Sequence, residues 1–113
     1  MERKTALITG ATSGIGEACA RRFANGGYNI IITGRTADKL QALKAELETE
    51  GVSVLALAFD VCDRNATREA VNSIPDSFKP IDVLINNAGL ARGLEPEYEG
   101  SFQDWDEMID TNI

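Results

Sequence analysis

The sequence predicts an α/β domain built on a doubly wound parallel sheet. Short apolar runs alternate with helical patterns of ten or more residues, which is typical of repeated strand–helix–strand units. Two of the apolar runs end in turns rich in glycine and polar residues, at residues 9–16 and 86–89. With the expected strand order 3-2-1-4, both turns fall where the winding direction of the sheet reverses. We therefore expect a ligand crevice at that edge.

Four strands and three helices are expected before the second turn. The strands are short apolar runs, and Ile30, Ile31 and Ile32 form the continuous centre of one that is buried on both faces. The predicted strands cover residues 4–9, 28–33, 52–59 and 81–85. The first helix ends before Gly26, the second covers residues 37–50, and the third runs from the capping residue Asp63 to about residue 73.

Two helical patterns carry further expectations. In the first helix, four apolar residues are expected to share the buried face: Ile15, Ala18, Cys19 and Phe23. A fourth pattern starts at a capping box, residues 101–104, and continues to the last residue with no stop signal. A mature domain rarely ends within a helix, so we expect the chain to be a fragment of a longer protein.

The turn after the first strand predicts a site for nucleotide phosphates. Strand, glycine turn and helix follow one another as a dinucleotide site requires. Gly10 is expected to form the tight turn, Gly14 to allow the backbone close to a pyrophosphate, and Gly16 to permit helix–strand contact. Hydroxyls and amides of Thr12 and Ser13 can donate to phosphate. The proposed cofactor-binding residues of this turn are Gly10, Ala11, Thr12, Ser13, Gly14, Ile15 and Gly16. The alternative is an ordinary strand-to-helix turn.

The run Asn86-Asn87-Ala88-Gly89 after the fourth strand, together with Thr-Gly-x-x-x-Gly-Ile-Gly, resembles the short-chain dehydrogenase/reductase family. The resemblance extends from Lys4 to Asn112 and implies a Rossmann-type fold, of which residues 1–113 are the N-terminal, dinucleotide-binding portion. Within the family, the stretch from Asn86 to Asn112 is similar to NADP-dependent 3-hydroxy acid and serine dehydrogenases. The resemblance also implies a homodimer or homotetramer for the complete protein.

The resemblance assigns roles to the other site residues. Asp60 and Val61 are expected to lie at the adenine ring. Of Asn86 and Asn87, one is expected to brace the central strands and the other to contact the ribose. Ala88 and Gly89 are expected to form the floor of the crevice. Asn112 matches the asparagine that holds a water in the catalytic proton relay of relatives.

Cofactor choice is expected at the end of the second strand. A carboxylate here holds the ribose 2′-hydroxyl of NAD, about twenty residues past the glycines. This chain has Gly34, Arg35 and Thr36 instead, and a guanidinium can pair with the 2′-phosphate of NADP. The alternative is a surface arginine. NADP (NADPH) is therefore expected to be preferred. Ser13 stands where many NADP-using relatives carry a basic residue, so the preference is not expected to be exclusive, with NAD possible.

The catalytic acid of the family is missing from these residues. Relatives donate a proton from a tyrosine whose pKa is lowered by a lysine four residues later, beside a serine that polarises the carbonyl. Here Tyr28 is followed four residues later by Ile32, and Tyr98 by Phe102. The sequence thus contains the cofactor half and one relay residue, Asn112, and we expect the 113 residues alone to be inactive.

Composition argues against several other classes of protein, namely those that bind nucleic acid, membranes or zinc. The net charge of −7, with no cluster of lysine and arginine, predicts no binding to nucleic acid or anionic membranes. Two cysteines and no histidine predict no zinc site, and Cys19 is expected to serve packing. No apolar run approaches a membrane span, and the first strand begins too early for a signal peptide, so a cytoplasmic location is expected.

Three functional hypotheses follow. The first is an NADP-dependent oxidoreductase that interconverts a small hydroxy acid or alcohol and its carbonyl, present here as its N-terminal part. The second is a catalytically inactive nucleotide-binding module. The third is a non-functional truncation whose exposed fourth strand favours aggregation.

Overall fold

The computed structural model describes residues 3–87, which form a four-stranded parallel sheet with helices on both faces. The strands are β1 (Thr5–Thr9), β2 (Asn29–Gly34), β3 (Val54–Ala58) and β4 (Val83–Asn86). The helices are α1 (Gly14–Asn25), α2 (Ala37–Glu48) and α3 (Arg64–Asn72), and a short 3₁₀ helix covers Asp76–Phe78. The order β3-β2-β1-β4 confirms the predicted sheet, and the observed bounds lie within about two residues of those predicted.

Two apolar cores flank the sheet because both faces of its central strands are covered. On one face, Ile8 and Ile32 pack with Leu40, Leu43 and Leu47 of α2. On the other face, Leu7 and Ile31 pack with residues that follow β3, including Val71 of α3. β1 is buried along its whole length, which fits its place between β2 and β4.

The buried face of α1 differs from the predicted one. Its buried residues are Gly16, Ala20 and Ala24, whereas Ile15 and Ala18 are exposed. The prediction selected the larger apolar residues, but small residues spaced four apart let this helix lie close to the sheet. Cys19 and Phe23, at the margin of the observed face, do pack against the core, as predicted. The expectation for Ile15 and Ala18 was wrong.

The carboxyl ends of β1 and β4 lie side by side, with Thr9 paired with Asn86. The chain leaves β1 toward β2 on one side and reaches β4 on the other, so this is the point of reversal in the sheet. The glycine turn and the Asn86–Asn87 pair are therefore neighbours, as predicted. Residues 88–113, including the predicted fourth helix, lie outside the described part.

Candidate functional site

The turn after β1 is held in place by backbone hydrogen bonds to its neighbours. Gly10 has φ of 62°, in the left-handed region that glycine adopts without steric cost. The Ala11 amide donates to the Thr33 carbonyl at 2.9 Å, which ties the turn to β2. Both donors of Ser13, its amide and its hydroxyl, reach the Gly10 carbonyl at 3.2 and 2.9 Å. Ser13 thus closes the turn with the groups that the sequence suggested for phosphate.

The first residue of α1, Gly14, faces open space. Ser13 is the N-cap residue but makes no side-chain cap hydrogen bond, so it does not satisfy the amides that begin the helix. A Cβ atom at Gly14 would meet nothing within 4 Å. Amides at a helix N-terminus, together with the positive end of the helix dipole, favour an anion. The geometry leaves room for a phosphate against these amides.

Gly16, two residues further on, is tightly enclosed. A Cβ atom here would collide with the Gly10 carbonyl oxygen and lie 2.9 Å from both Ala11 Cα and Asn87 Nδ2. The helix start, the turn and the residue after β4 therefore meet at a position that only glycine can occupy without displacement. This contact brings the two sequence motifs together.

The two asparagines after β4 connect that strand to β1 and its turn. Asn86 Oδ1 accepts a hydrogen bond from the Thr9 hydroxyl at 2.9 Å. Asn87 Nδ2 donates to the Gly10 carbonyl at 3.0 Å and to the Ser13 hydroxyl at 2.6 Å. Asn87 is only 3% exposed, so its amide is a structural brace for the turn. Both asparagines hold the strand ends together.

A cleft of about 220 Å³ opens at this edge of the sheet. It joins the glycine turn to the ends of β2 and β3. The lining residues are Gly10, Thr12, Ser13, Thr33, Gly34, Arg35, Thr36, Phe59, Asp60, Val61, Cys62 and Asn87. Three of these, Thr33, Phe59 and Cys62, were not identified from the sequence as site residues. Their position follows from the register of β2 and β3, which brings the ends of these strands to one edge.

The end of β2 presents a cation to the cleft. Gly34 is buried, and a Cβ atom there would lie 3.4 Å from the Thr12 hydroxyl oxygen. Arg35 and Thr36 are exposed, and within residues 3–87 Arg35 has no hydrogen-bond or ion-pair partner. An unpaired guanidinium in a cleft can bind a phosphate through two parallel hydrogen bonds. No carboxylate occupies the position of Gly34 to repel one.

The segment after β3 also lines the cleft, next to the end of β2. The Phe59 amide donates to the Gly34 carbonyl at 2.9 Å, which continues the pairing of β3 with β2. Asp60 Oδ1 accepts from the Cys62 amide at 2.9 Å, and this bond fixes the direction of the carboxylate. Asp63 Oδ1 accepts from the Ala66 amide and caps α3, as predicted.

One hydroxyl in the cleft wall lacks a partner. Thr33 is completely buried and its Oγ1 has no hydrogen-bond partner among the described residues. A buried polar group without a partner costs about 1–3 kcal/mol, so such groups are rare in folded proteins. The orphaned hydroxyl marks this wall as a place where a further polar group would be stabilising.

A surface ion-pair cluster joins α1 to α2 beside the site. Arg21 donates to Glu17 at 3.0 Å and also to both carboxylate oxygens of Glu46. The hydrogen bond from Arg21 lowers the pKa of Glu46 below its ordinary value of 4.5. All three groups are substantially exposed, so their contribution to stability is small.

Some predicted site residues fall outside the described part, namely Ala88, Gly89 and Asn112. Between residues 3 and 87, no group of three or more acidic or sulfur ligands could hold a metal ion. Over the same residues, no helix is long and apolar enough to cross a membrane.

Comparison with known proteins identifies relatives of this chain. Residues 4–113 match the family model described as short chain dehydrogenase. The chain is 51% identical to serine 3-dehydrogenase of Agrobacterium fabrum over 109 residues, which are 96% of this chain and 43% of that protein. It is 53% identical to the NADP-dependent 3-hydroxy acid dehydrogenase YdfG of Salmonella typhi over 106 residues, covering 94% of this chain and 42% of that protein. The chain thus spans less than half the length of these relatives.

A similar fold is found among solved structures. L-sorbose reductase from Gluconobacter frateurii, in a complex with NADPH and L-sorbose, matches with a TM-score of 0.68 and 38% identity. The match covers 74% of this chain and 32% of the reductase.

Proposed function

Because the chain belongs to the short-chain dehydrogenase family, we propose that it is the cofactor-binding part of an NADP-dependent oxidoreductase. The observation that carries the proposal is one cleft lined both by the glycine turn, up to Ser13 at the start of α1, and by the unpaired Arg35. The start of α1 and Arg35 match the two anionic parts of NADP, its pyrophosphate and its 2′-phosphate.

The residues of the cleft and the first turn of α1, which follows Ser13, each have a part of this cofactor to bind. The amides of Gly14, Ile15 and Gly16 would bind the pyrophosphate, while Arg35 and Thr36 would bind the 2′-phosphate. Asp60 has one oxygen committed to the Cys62 amide, and its other oxygen is available to accept from the adenine amine. When bound, the nicotinamide of NADP(H) donates or accepts a hydride. The chain's own residues bind it, orient it and shape the cleft.

We propose a small hydroxy acid or alcohol, and its carbonyl, as the substrate pair of the complete protein. Support comes from the activities named for two relatives, serine 3-dehydrogenase and NADP-dependent 3-hydroxy acid dehydrogenase, at 51% and 53% identity. The proton would come from a tyrosine, beside a lysine and a serine, in the part of the protein that these residues do not include. Asn112 would hold a water of the proton relay.

Assembly and location form a separate proposal. We propose a homodimer or homotetramer in the cytoplasm, without nucleic-acid or membrane partners. The net charge of −7 supports the lack of anionic partners. Light scattering of the purified complete protein measures its mass in solution, and a monomer would contradict the assembly.

The complete protein provides the test of activity. We expect it to reduce NADP in the presence of serine or a 3-hydroxy acid, and to oxidise NADPH in the presence of the corresponding semialdehyde. NAD serves as the matched control and is expected to give a much lower kcat/KM. If no small alcohol or carbonyl supports turnover while NADPH still binds, the alternative of an inactive nucleotide-binding module replaces the enzyme.

A further inference from the structure

A second groove lies between α1 and α2 and adjoins the nucleotide cleft. It has a volume of about 210 Å³ and is lined by Thr12, Glu17, Lys39, Ala42, Leu43 and Glu46. Thr12 also lines the nucleotide cleft, together with Arg35. Thr12 is therefore shared by the two cavities: Arg35 lines the cleft with it, and Lys39, in the first turn of α2, lines the groove with it.

The acidic residues of this groove are already engaged. Arg21 pairs with Glu17 at 3.0 Å and with Glu46 as well, so its positive charge offsets one of their two negative charges. Lys39 is exposed and, within residues 3–87, makes no hydrogen bond and no ion pair. Its ammonium group is therefore free to bind an anion that enters from the cleft.

We propose that Lys39 is the second cation of the 2′-phosphate site, approaching the phosphate past Thr12 from the groove while Arg35 approaches it from the cleft. The inference rests on the proposed binding of NADP. A phosphomonoester carries a charge of about −1.5 to −2 at neutral pH, which one guanidinium does not balance. Ser13 supplies no charge, and its hydroxyl donates to Gly10. A lysine acts here as a point charge and needs no fixed geometry.

The test compares two cofactors that differ only in the 2′-phosphate. Calorimetry on the complete protein measures Kd for NADPH and for NADH in the wild type and in Lys39→Gln. We expect the Kd for NADPH to rise by about three- to tenfold in the variant, and the Kd for NADH to stay within about twofold of the wild-type value. Lys44→Gln is the matched control, since it removes the same charge from the same helix at a residue that does not line the groove. Lys39→Arg keeps the positive charge and is expected to retain the wild-type preference for NADPH over NADH.

Each result decides one of the two proposals. An equal weakening of both cofactors in Lys39→Gln, no weakening at all, or an equal effect of Lys44→Gln would overturn the role of Lys39 while leaving NADP binding intact. A wild-type protein that binds neither cofactor, or binds NADH as tightly as NADPH, would overturn the proposed cofactor and the role of Lys39 with it.

Discussion

Alanine substitution at two glycines of the same turn should separate the structural function of this segment from its binding function. At Gly16 the new Cβ atom would collide with the Gly10 carbonyl oxygen and lie 2.9 Å from Asn87 Nδ2. At Gly14 the new atom would meet nothing within 4 Å. We expect Gly16→Ala to destabilise the fold and Gly14→Ala to spare it while weakening NADPH binding.

The expected loss in the free energy of unfolding for Gly16→Ala has two parts. Overpacking of a closely fitted position costs about 1–3 kcal/mol. Displacement of Asn87 breaks its hydrogen bonds to Gly10 and Ser13 and leaves buried polar groups unpaired, at a further cost of about 1–3 kcal/mol. The higher helix propensity of alanine offsets up to about 1 kcal/mol. The free energy of unfolding should therefore fall by about 3 kcal/mol.

Urea unfolding of the complete protein, followed by circular dichroism, measures this loss as a shift of the midpoint at constant slope. For Gly14→Ala the free energy of unfolding should change by less than about 1 kcal/mol, because the residue is in a helix and its surroundings are open. Its NADPH affinity should fall because the methyl group occupies the space proposed for phosphate. Equal stability of the two variants would refute the steric reasoning, and unchanged NADPH binding by Gly14→Ala would refute the position of the phosphate.

Three further changes test other parts of the structure. Asn87→Ala should lower the free energy of unfolding by about 2 kcal/mol, since it removes two hydrogen bonds that brace the glycine turn. Thr33→Val should raise the free energy of unfolding by about 1 kcal/mol in the absence of cofactor, because it removes a buried hydroxyl that has no partner. Glu46→Gln should lower the free energy of unfolding slightly at neutral pH but not in acid. Arg21 lowers the pKa of Glu46 in the folded state, so the ion pair stabilises the fold above the ordinary pKa of 4.5. This contribution is lost as the pH falls through the lowered pKa.

The same urea titrations provide the controls. Asn29→Ala removes a more exposed hydrogen bond, to the Ser53 amide, and should cost less than Asn87→Ala. Glu48→Gln removes the same charge as Glu46→Gln from the same helix, at a residue that forms no ion pair with the other described residues. A destabilised Thr33→Val would mean that the hydroxyl is satisfied in solution. A stability difference between Glu46→Gln and wild type that persists in acid would contradict the assigned ion pair.

Sheet order and the meeting of the two motifs could be predicted because they follow from local patterns and a topological rule. Alternating strands and helices imply right-handed crossovers, and these place the ends of β1 and β4 side by side. The face of α1 could not be predicted from the positions of large apolar residues. Close packing there depends on Gly16 and Ala20, whose small size becomes a signal only when the distance to the sheet is known.

The hydrogen-bond partners of the side chains in the site could not be predicted from the sequence either. A motif suggests that Ser13 lies near phosphate, but in the folded turn its hydroxyl and amide already donate to the Gly10 carbonyl. Likewise, the orphaned hydroxyl of Thr33 and the free ammonium of Lys39 depend on which neighbours lie within reach. The backbone geometry of the turn and the packing around each side chain decide such details, whereas spacing along the sequence decides the elements.

The central claim is that the cleft at the ends of β1, β2 and β3 holds NADP, and a crystal structure of the complete protein with NADPH tests it most directly. We expect the pyrophosphate within hydrogen-bond distance of the Gly14–Gly16 amides, the 2′-phosphate beside Arg35 and the adenine against Asp60. A cofactor bound elsewhere, or a 2′-phosphate directed away from Arg35 into solvent, would contradict the account.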